Sequence, residues 1–350
     1  MRACSGWIVS ELSDVSAEEQ VAEMVQQAKS QEADVLAPAS EPKPPRRLNL
    51  IGRRNWFFAL SLIIIVPGII SMATKHFALG IDFAGGTEFT VSFPGDVSLN
   101  QVQAAVDSQN VNGSVISTGR NSDGTNGFII RYPPLTQVQV TGVQTDLKNK
   151  VGPINVQQIL VVGGTIAGET ITLSLVAVII AAIAILLLLA IRFRNVPGGW
   201  RAGFQFGGSA LAALLHDVFV LTGVFSILGA VLNLRIGQID AFFVTAVLTV
   251  VGFSVHDTIV VFDRIRENLR VSQRLSFEQV VNLSIMQTAA RSIITSFTVV
   301  LVLAAILIAG GSTLQGLALA LIIGIISGTY SSIFNAAPLL VVWRRLQPLR

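Results

Sequence analysis

The sequence predicts an α-helical membrane protein. Six transmembrane helices carry an inserted ferredoxin-like α+β domain, placed between the first and second on the outer side of the membrane. Three observations predict this. Of 350 residues, 51% are hydrophobic and only 13% are charged, about half the charge share of a soluble domain. The mean hydropathy is +0.65. The apolar residues fall in six long runs, roughly 56–74, 170–191, 208–229, 239–262, 285–309 and 315–343, each able to cross about 30 Å of hydrocarbon at about 1.5 Å per residue.

Residues 1–55 form a polar tail on the cytoplasmic side. Ser16-Ala17-Glu18-Glu19 reads as a capping box, with Val21, Met24, Val25 and Ala28 following at helical spacing. Pro38, Pro42, Pro44 and Pro45 then mark a solvated linker. The first apolar run begins near Trp56 and is too long for the h-region of a signal peptide.

Basic residues orient the spans. One set of flanks holds Lys43, Arg46, Arg47, Arg53, Arg54, Arg192, Arg194, Arg201, Arg264, Arg266, Arg270, Arg274, Arg344, Arg345 and Arg350, whereas the short loops on the other side hold only Arg235. That asymmetry places both termini in the cytoplasm.

The inserted segment, 75–168, reads as β-α-β-β-α-β, the order of a ferredoxin-like domain. Thr87 to Phe93 alternates, with Phe89, Val91 and Phe93 on one face. Ser98 caps a helix that turns Val102, Ala105 and Val106 inward. Two strands flank the turn at Asn121-Ser122-Asp123-Gly124, a second helix is expected over Thr136 to Lys150, and a last strand over Val156 to Val162. One domain after the first span and five closely spaced spans behind it make half of a two-repeat transporter plan. The sequence holds no second copy, so the other half is expected on a separate chain.

Composition excludes several classes. A net charge of +3 does not suggest nucleic acid, and the lone Cys4 allows neither an internal disulfide nor a cysteine metal cluster. The glycine-rich Gly80 to Thr87 lacks phosphate-loop spacing and reads as a tight junction between helix and domain. Phe262 to Asn268 reads as the solvated charged end of the fourth span.

Ionisable residues inside spans are costly and default to function. The candidates are His216 and Asp217 in the third span, His256 and Asp257 in the fourth, and Arg291 in the fifth. Asp257 lies six residues before Asp263 at the cytoplasmic end of its span, about 9 Å into the membrane. Arg291, on the next antiparallel helix, reaches a similar depth of about 10 Å. The two are therefore expected to pair, which offsets the cost of desolvating either alone. One reading is a static ion pair; the favoured one is a proton-coupling site, since a carboxylate at that depth gains or loses its proton with its access to water and its neighbours. His256 points about 100° away from Asp257 around the helix. His256, His216 and Asp217 are candidates for a proton relay or for hydrogen bonds across the bundle.

Four stretches carry a family resemblance: Gly80-Ile81-Asp82-Phe83-Ala84-Gly85-Gly86-Thr87, the run from Val255-His256-Asp257 to Glu267-Asn268, Gln287 to Ser296 with Arg291, and Gly328-Thr329-Tyr330-Ser331-Ser332-Ile333-Phe334. Over residues 50–343 the chain resembles the SecF family of bacterial protein-export subunits, of the resistance–nodulation–division (RND) type of proton-driven transporter. The resemblance implies half of an RND-type bundle in the inner membrane. Its implied partners are SecD, the SecYEG channel, a YidC-type insertase, a translocating polypeptide and the lipid bilayer. It implies no enzyme activity and no cofactor, with the proton as coupling ion. The family's transmembrane acid and base fall on Asp257 and Arg291. His256 departs from the family's frequent Asn, so a relay role there is not inherited, and the N-terminal tail is longer than the family's. Two alternatives stay open: an RND-like exporter subunit for a small molecule or lipid, and a non-conducting scaffold for SecD. A single small outer domain offers little room for a substrate duct, and a scaffold has no need of a titratable acid at membrane depth.

Overall fold

Each apolar run becomes one long helix, and the stretch between the first two becomes an α+β domain outside the helix bundle, the outer domain. The computed structural model describes residues 49–347, apart from 110, 113, 121–124, 195–198 and 272–273. The expected helix after Ser16 and the turn at Asn121–Gly124 lie outside the described residues.

Helix α1 (Arg54–Lys75) leads through a one-turn helix, α2 (Ile81–Ala84), into the outer domain. There β1 (Gly86–Phe93), α3 (Leu99–Asp107), β2 (Ser114–Arg120), β3 (Asn126–Tyr132), α4 (Gln137–Lys150) and β4 (Asn155–Val162) follow in the expected order. The sheet runs β2-β3-β1-β4, every neighbour antiparallel, as a ferredoxin-like domain requires. Both domain helices start on reciprocal capping boxes, Ser98 with Gln101 and Thr136 with Gln139, so two orphan N–H groups are satisfied at each start. The core joins Phe89, Val91 and Phe93 to Val102, Val106 and Leu147, so the alternation expected for β1 holds.

The remaining spans are α5 (Gly164–Arg192), α6 (Gly199–Ser226, continued by a π-type turn to Val231), α7 (Ala241–Val271), α8 (Phe277–Ala309) and α9 (Ser312–Ser331). A second π-type turn, Ser332–Ala336, joins α9 to α10 (Ala337–Leu346), which completes the sixth span. All six spans are long and apolar enough to cross a membrane. Several outrun their apolar stretch. Helix α8 starts before residue 285 because Ser276 and Gln279 form a capping box there, and α7 continues past 262 on a charged turn where Asp263 pairs with Arg266 and with Arg192 of α5. At the same end Glu278 of α8 pairs with Arg54 and Arg345.

The outer domain is stitched to the loop between α6 and α7. Gly80 N–H donates to Ile239 O at 2.7 Å and Ile239 N–H to Ala78 O at 2.9 Å. Asp82 Oδ2 accepts from Ala241 N–H at 3.0 Å. Arg131 Nε binds Glu88 at 2.7 Å while its Nη2 donates to Gln238 at 2.7 Å, and Arg235 lies 3.8 Å from Glu88. Burial pushes the Arg235 guanidinium down from its ordinary value; burial first, then Asp82, pushes the Asp240 carboxyl up. These groups surround a cavity of about 260 Å³. The glycine-rich junction is as tight as its sequence suggests: Gly86 has φ +132°, and a Cβ there would sit 2.6 Å from Tyr132 O.

Candidate functional site

The site grows from the seam between α7 and α9. Small residues let their backbones meet: a Cβ on Gly324 would lie 2.1 Å from Val250, and one on Gly328 would lie 3.0 Å from Ser254 Cβ. Such spacing of small residues is how membrane helices pack without a hydrophobic driving force. Two buried aspartates, Asp217 and Asp257, flank this seam.

Asp217, on α6, has no exposed surface. Its Oδ1 accepts from Ser327 Oγ at 2.7 Å and lies 3.0 Å from His216 Nδ1. Its Oδ2 accepts from Ser254 Oγ at 2.6 Å and Ser331 Oγ at 2.7 Å. Ser254 comes from α7, and Ser327 and Ser331 come from successive turns of α9. The residue sits sixteen positions from Arg201 and fourteen from Val231, about 24 Å and 21 Å along the helix, so it is near the middle of its span. Asp217 thus makes hydrogen bonds across the bundle to α7 and α9. His216 supplies one contact, while its Nε2 is buried without a hydrogen-bond partner among the described residues.

Asp257, on α7, is 3% exposed but differently furnished. Thr329 Oγ1 of α9 is 3.4 Å from its Oδ2, long for a hydrogen bond between oxygens. The same hydroxyl is 2.5 Å from Ser296 Oγ of α8 and 2.9 Å from Ile325 O. Ser292, also on α8, is buried with its Oγ unpartnered among the described residues. Asp257 thus meets a hydroxyl of α9 that has other acceptors within reach.

The direct pair expected between Asp257 and Arg291 is not formed within the chain. Arg291 is exposed, and among the described residues no ion pair includes it. Residue counting fixes distance along each helix but leaves azimuth open, and azimuth separates the two. The buried stripe of α8 is Ser284, Thr288, Ser292 and Ser296 at i, i+4 spacing; Arg291 precedes Ser292 and so points about 100° off that stripe. It stands on the open face with Ile294 and Phe297. His256 is exposed too, and among the described residues it makes no hydrogen bond to Asp257.

The residues that sequence reasoning missed are hydroxyls: Ser254, Ser292, Ser296, Ser327, Thr329 and Ser331. The stripe at 288, 292 and 296 was the available signal, since polar groups repeating every four residues inside a span mark an interior face. A second polar set ties α1 to the end of α9: Tyr330 Oη donates to Phe57 O at 2.8 Å, and Asn335 Nδ2 donates to Ser61 Oγ at 2.9 Å.

Comparison with known proteins agrees with this architecture. The family described as Protein export membrane protein SecD/SecF, C-terminal, matches residues 143–346, and the SecD/SecF GG Motif matches residues 70–93. The protein translocase subunit SecF of Thermobaculum terrenum is 42% identical over 87% of this chain and 96% of its own length. That of Anaerolinea thermophila is 38% identical over 85% and 94%. A crystal structure of SecDF, a translocon-associated membrane protein from Thermus thermophilus, aligns with a TM-score of 0.74 at 29% identity; the match covers 90% of this chain but only 41% of that one. With its inserted α+β domain, its glycine junction and its six spans all inside these matches, the chain is a multi-pass membrane protein that belongs to the SecF family of protein translocase subunits.

Proposed function

We propose that the chain is an accessory subunit of Sec protein export that works with SecD and uses the proton-motive force to promote translocation across the cytoplasmic membrane. The partner follows from length: the chain spans 41% of the SecDF chain it matches, and the remainder of that chain corresponds to SecD. The exposed Arg291 supports this, because a guanidinium at membrane depth needs a counter-charge and the described part of this chain does not supply one. Both termini lie in the cytoplasm, the outer domain faces the translocating polypeptide, and SecYEG, with a YidC-type insertase, is the neighbouring machinery. No cofactor takes part.

The carrying observation is Asp257: a buried carboxylate that meets, at the long distance of 3.4 Å, a Thr329 hydroxyl with other acceptors in reach. Such a group can be protonated or deprotonated without dismantling a network. The arrangement disfavours a non-conducting scaffold, which needs no such group. The test is Asp257→Asn in membrane vesicles that contain the chain, SecD and the channel. The substitution keeps the size and cannot ionise near neutral pH. Proton-dependent stimulation of export is expected to disappear while the complex still copurifies. Retained stimulation would refute the mechanism.

A further inference from the structure

We propose that Asp217 is a positioning residue for proton coupling: it clamps α6, α7 and α9 into one block whose register holds Thr329 beside Asp257. This rests on the role proposed for Asp257.

The geometry is specific. Ser327 and Ser331 lie on one side of α9, one turn apart, and both donate to Asp217. Thr329 lies between them in sequence, so it projects about 180° away, on the opposite flank of the helix. Gly324 and Gly328 face α7 between these two directions. The α7–α9 seam therefore has Asp217 on one flank and Asp257 on the other. On α7, Ser254 and Asp257 are three residues apart, one reaching each carboxylate site.

The two carboxylates are satisfied very differently. Three hydroxyls and an imidazole nitrogen surround the two oxygens of Asp217, close to the full acceptor capacity of a carboxylate. The three serine hydrogen bonds are short, at 2.6–2.7 Å. They join three helices whose members are 37 to 114 residues apart. Thr329, by contrast, has three acceptors within reach, in Asp257, Ser296 and Ile325 O. A change at Asp257 can therefore be answered by rotating the Thr329 hydroxyl toward Ser296 of α8, while the clamped block keeps its shape. In this arrangement the moving partner is α8, against a rigid set of α6, α7 and α9.

The test measures export stimulation against pH in vesicles that hold the full complex. Thr329→Val removes the hydroxyl and should move the pH midpoint, by about half a unit or more. Asp217→Ala removes the clamp and should lower stimulation roughly tenfold and move the midpoint in the same direction. The Asp217→Ala, Thr329→Val double variant should move it no further, because both act through one contact. Asp217→Asn should lose only about twofold, since the amide oxygen still accepts and the serine hydroxyls can turn to accept from the amide nitrogen. If Asp217→Ala does not assemble, Ser331→Ala takes its place, with the same direction of shift expected. Abolished stimulation in Asp217→Asn with an intact complex would overturn the proposal and make Asp217 a proton carrier. An unmoved midpoint in the clamp variants, or additive shifts in the double variant, would overturn it as well. Asp257→Asn separates the two readings: if it still supports proton-dependent export, the role of Asp257 has failed, whatever Asp217 does.

Discussion

Three spans of this bundle are packed and three are open. Half or more of the most apolar stretch is buried in α6, α7 and the α9–α10 span, against 17% in α1 and 11% in α5 and α8. The order of hydropathy is reversed: the open spans reach 2.3, 3.2 and 2.6, the packed ones only 2.0, 1.8 and 2.0. The most apolar helices are on the outside because lipid is as apolar as any core, whereas the interior hosts the serines, threonines and aspartates that hold helices together. Helix α8 breaks the pattern among the open spans. Between Thr170 and Ile191 α5 has no charged residue, but the open face of α8 carries Arg291. A lipid face has no use for that group, and the reading proposed above would put SecD on the open side of α8.

The comparison can be broken from the packed side first. Gly324→Leu forces a side chain into Val250, and overpacking of this kind costs about 3 kcal/mol. The thermal unfolding of the solubilised complex should report it as a large loss. Leu175→Ala on the open α5 should change the same measurement by about 0.5 kcal/mol or less. Equal effects at the two positions would mean that packed and open spans are not distinct.

Arg291→Met sharpens the comparison on the open side. Losing the guanidinium should leave a partner carboxylate unpaired, a cost of about 3 kcal/mol, read as roughly a hundredfold weaker association of SecD with the chain. Packing of α6, α7 and α9 should be untouched. Arg291→Lys should be intermediate, because it keeps the charge without the planar fork. Normal recovery of SecD with Arg291→Met would show that the open face of α8 meets something else.

The smallest effect is expected at the outer start of α7. Asp240 Oδ1 accepts from Phe243 N–H at 2.8 Å, a cap that Asn makes equally well. The fold holds this carboxyl above its ordinary value of 3.8, chiefly through burial. Its stabilising contribution is full below that ordinary value and is lost as pH rises through the folded one, so at neutral pH the ionised group is a net cost. Asp240→Asn should then stabilise the complex by about 0.5 kcal/mol or less at pH 7, and the gain should vanish at acid pH. A gain that grows toward acid pH would have the wrong sign.

Much of this was legible in the chain. Apolar runs gave six spans, and caps with alternation gave the strand and helix order of the outer domain, because both signals are local. The helix starts were less legible where polar turns precede the apolar run, as at Ser276. The site was half legible. Asp257 and Asp217 stood out as charges inside spans, and residue counting placed Arg291 at the depth of Asp257. Which way Arg291 points depends on helix rotation, and only the serine and threonine stripe of α8 carried that information. The serines around Asp217 had no local signal, since they come from helices far apart in sequence and serine is ordinary in membrane spans.

The stitching at the outer junction has a mechanical consequence. The paired backbone at Gly80 and Ile239 and the Glu88–Arg131–Gln238 chain tie the middle of the sheet to the loop that leads directly into α7. Helix α7 is also the one that bears Asp257. A tilt at its outer end would therefore carry the domain with it. An eight-residue strand such as β1 extends about 26 Å at about 3.3 Å per residue, so a tilt of about 5° there would sweep the far edge of the sheet through about 2 Å. A small rotation inside the bundle would thus leave it as linear travel of a surface, with the gear ratio set by strand length.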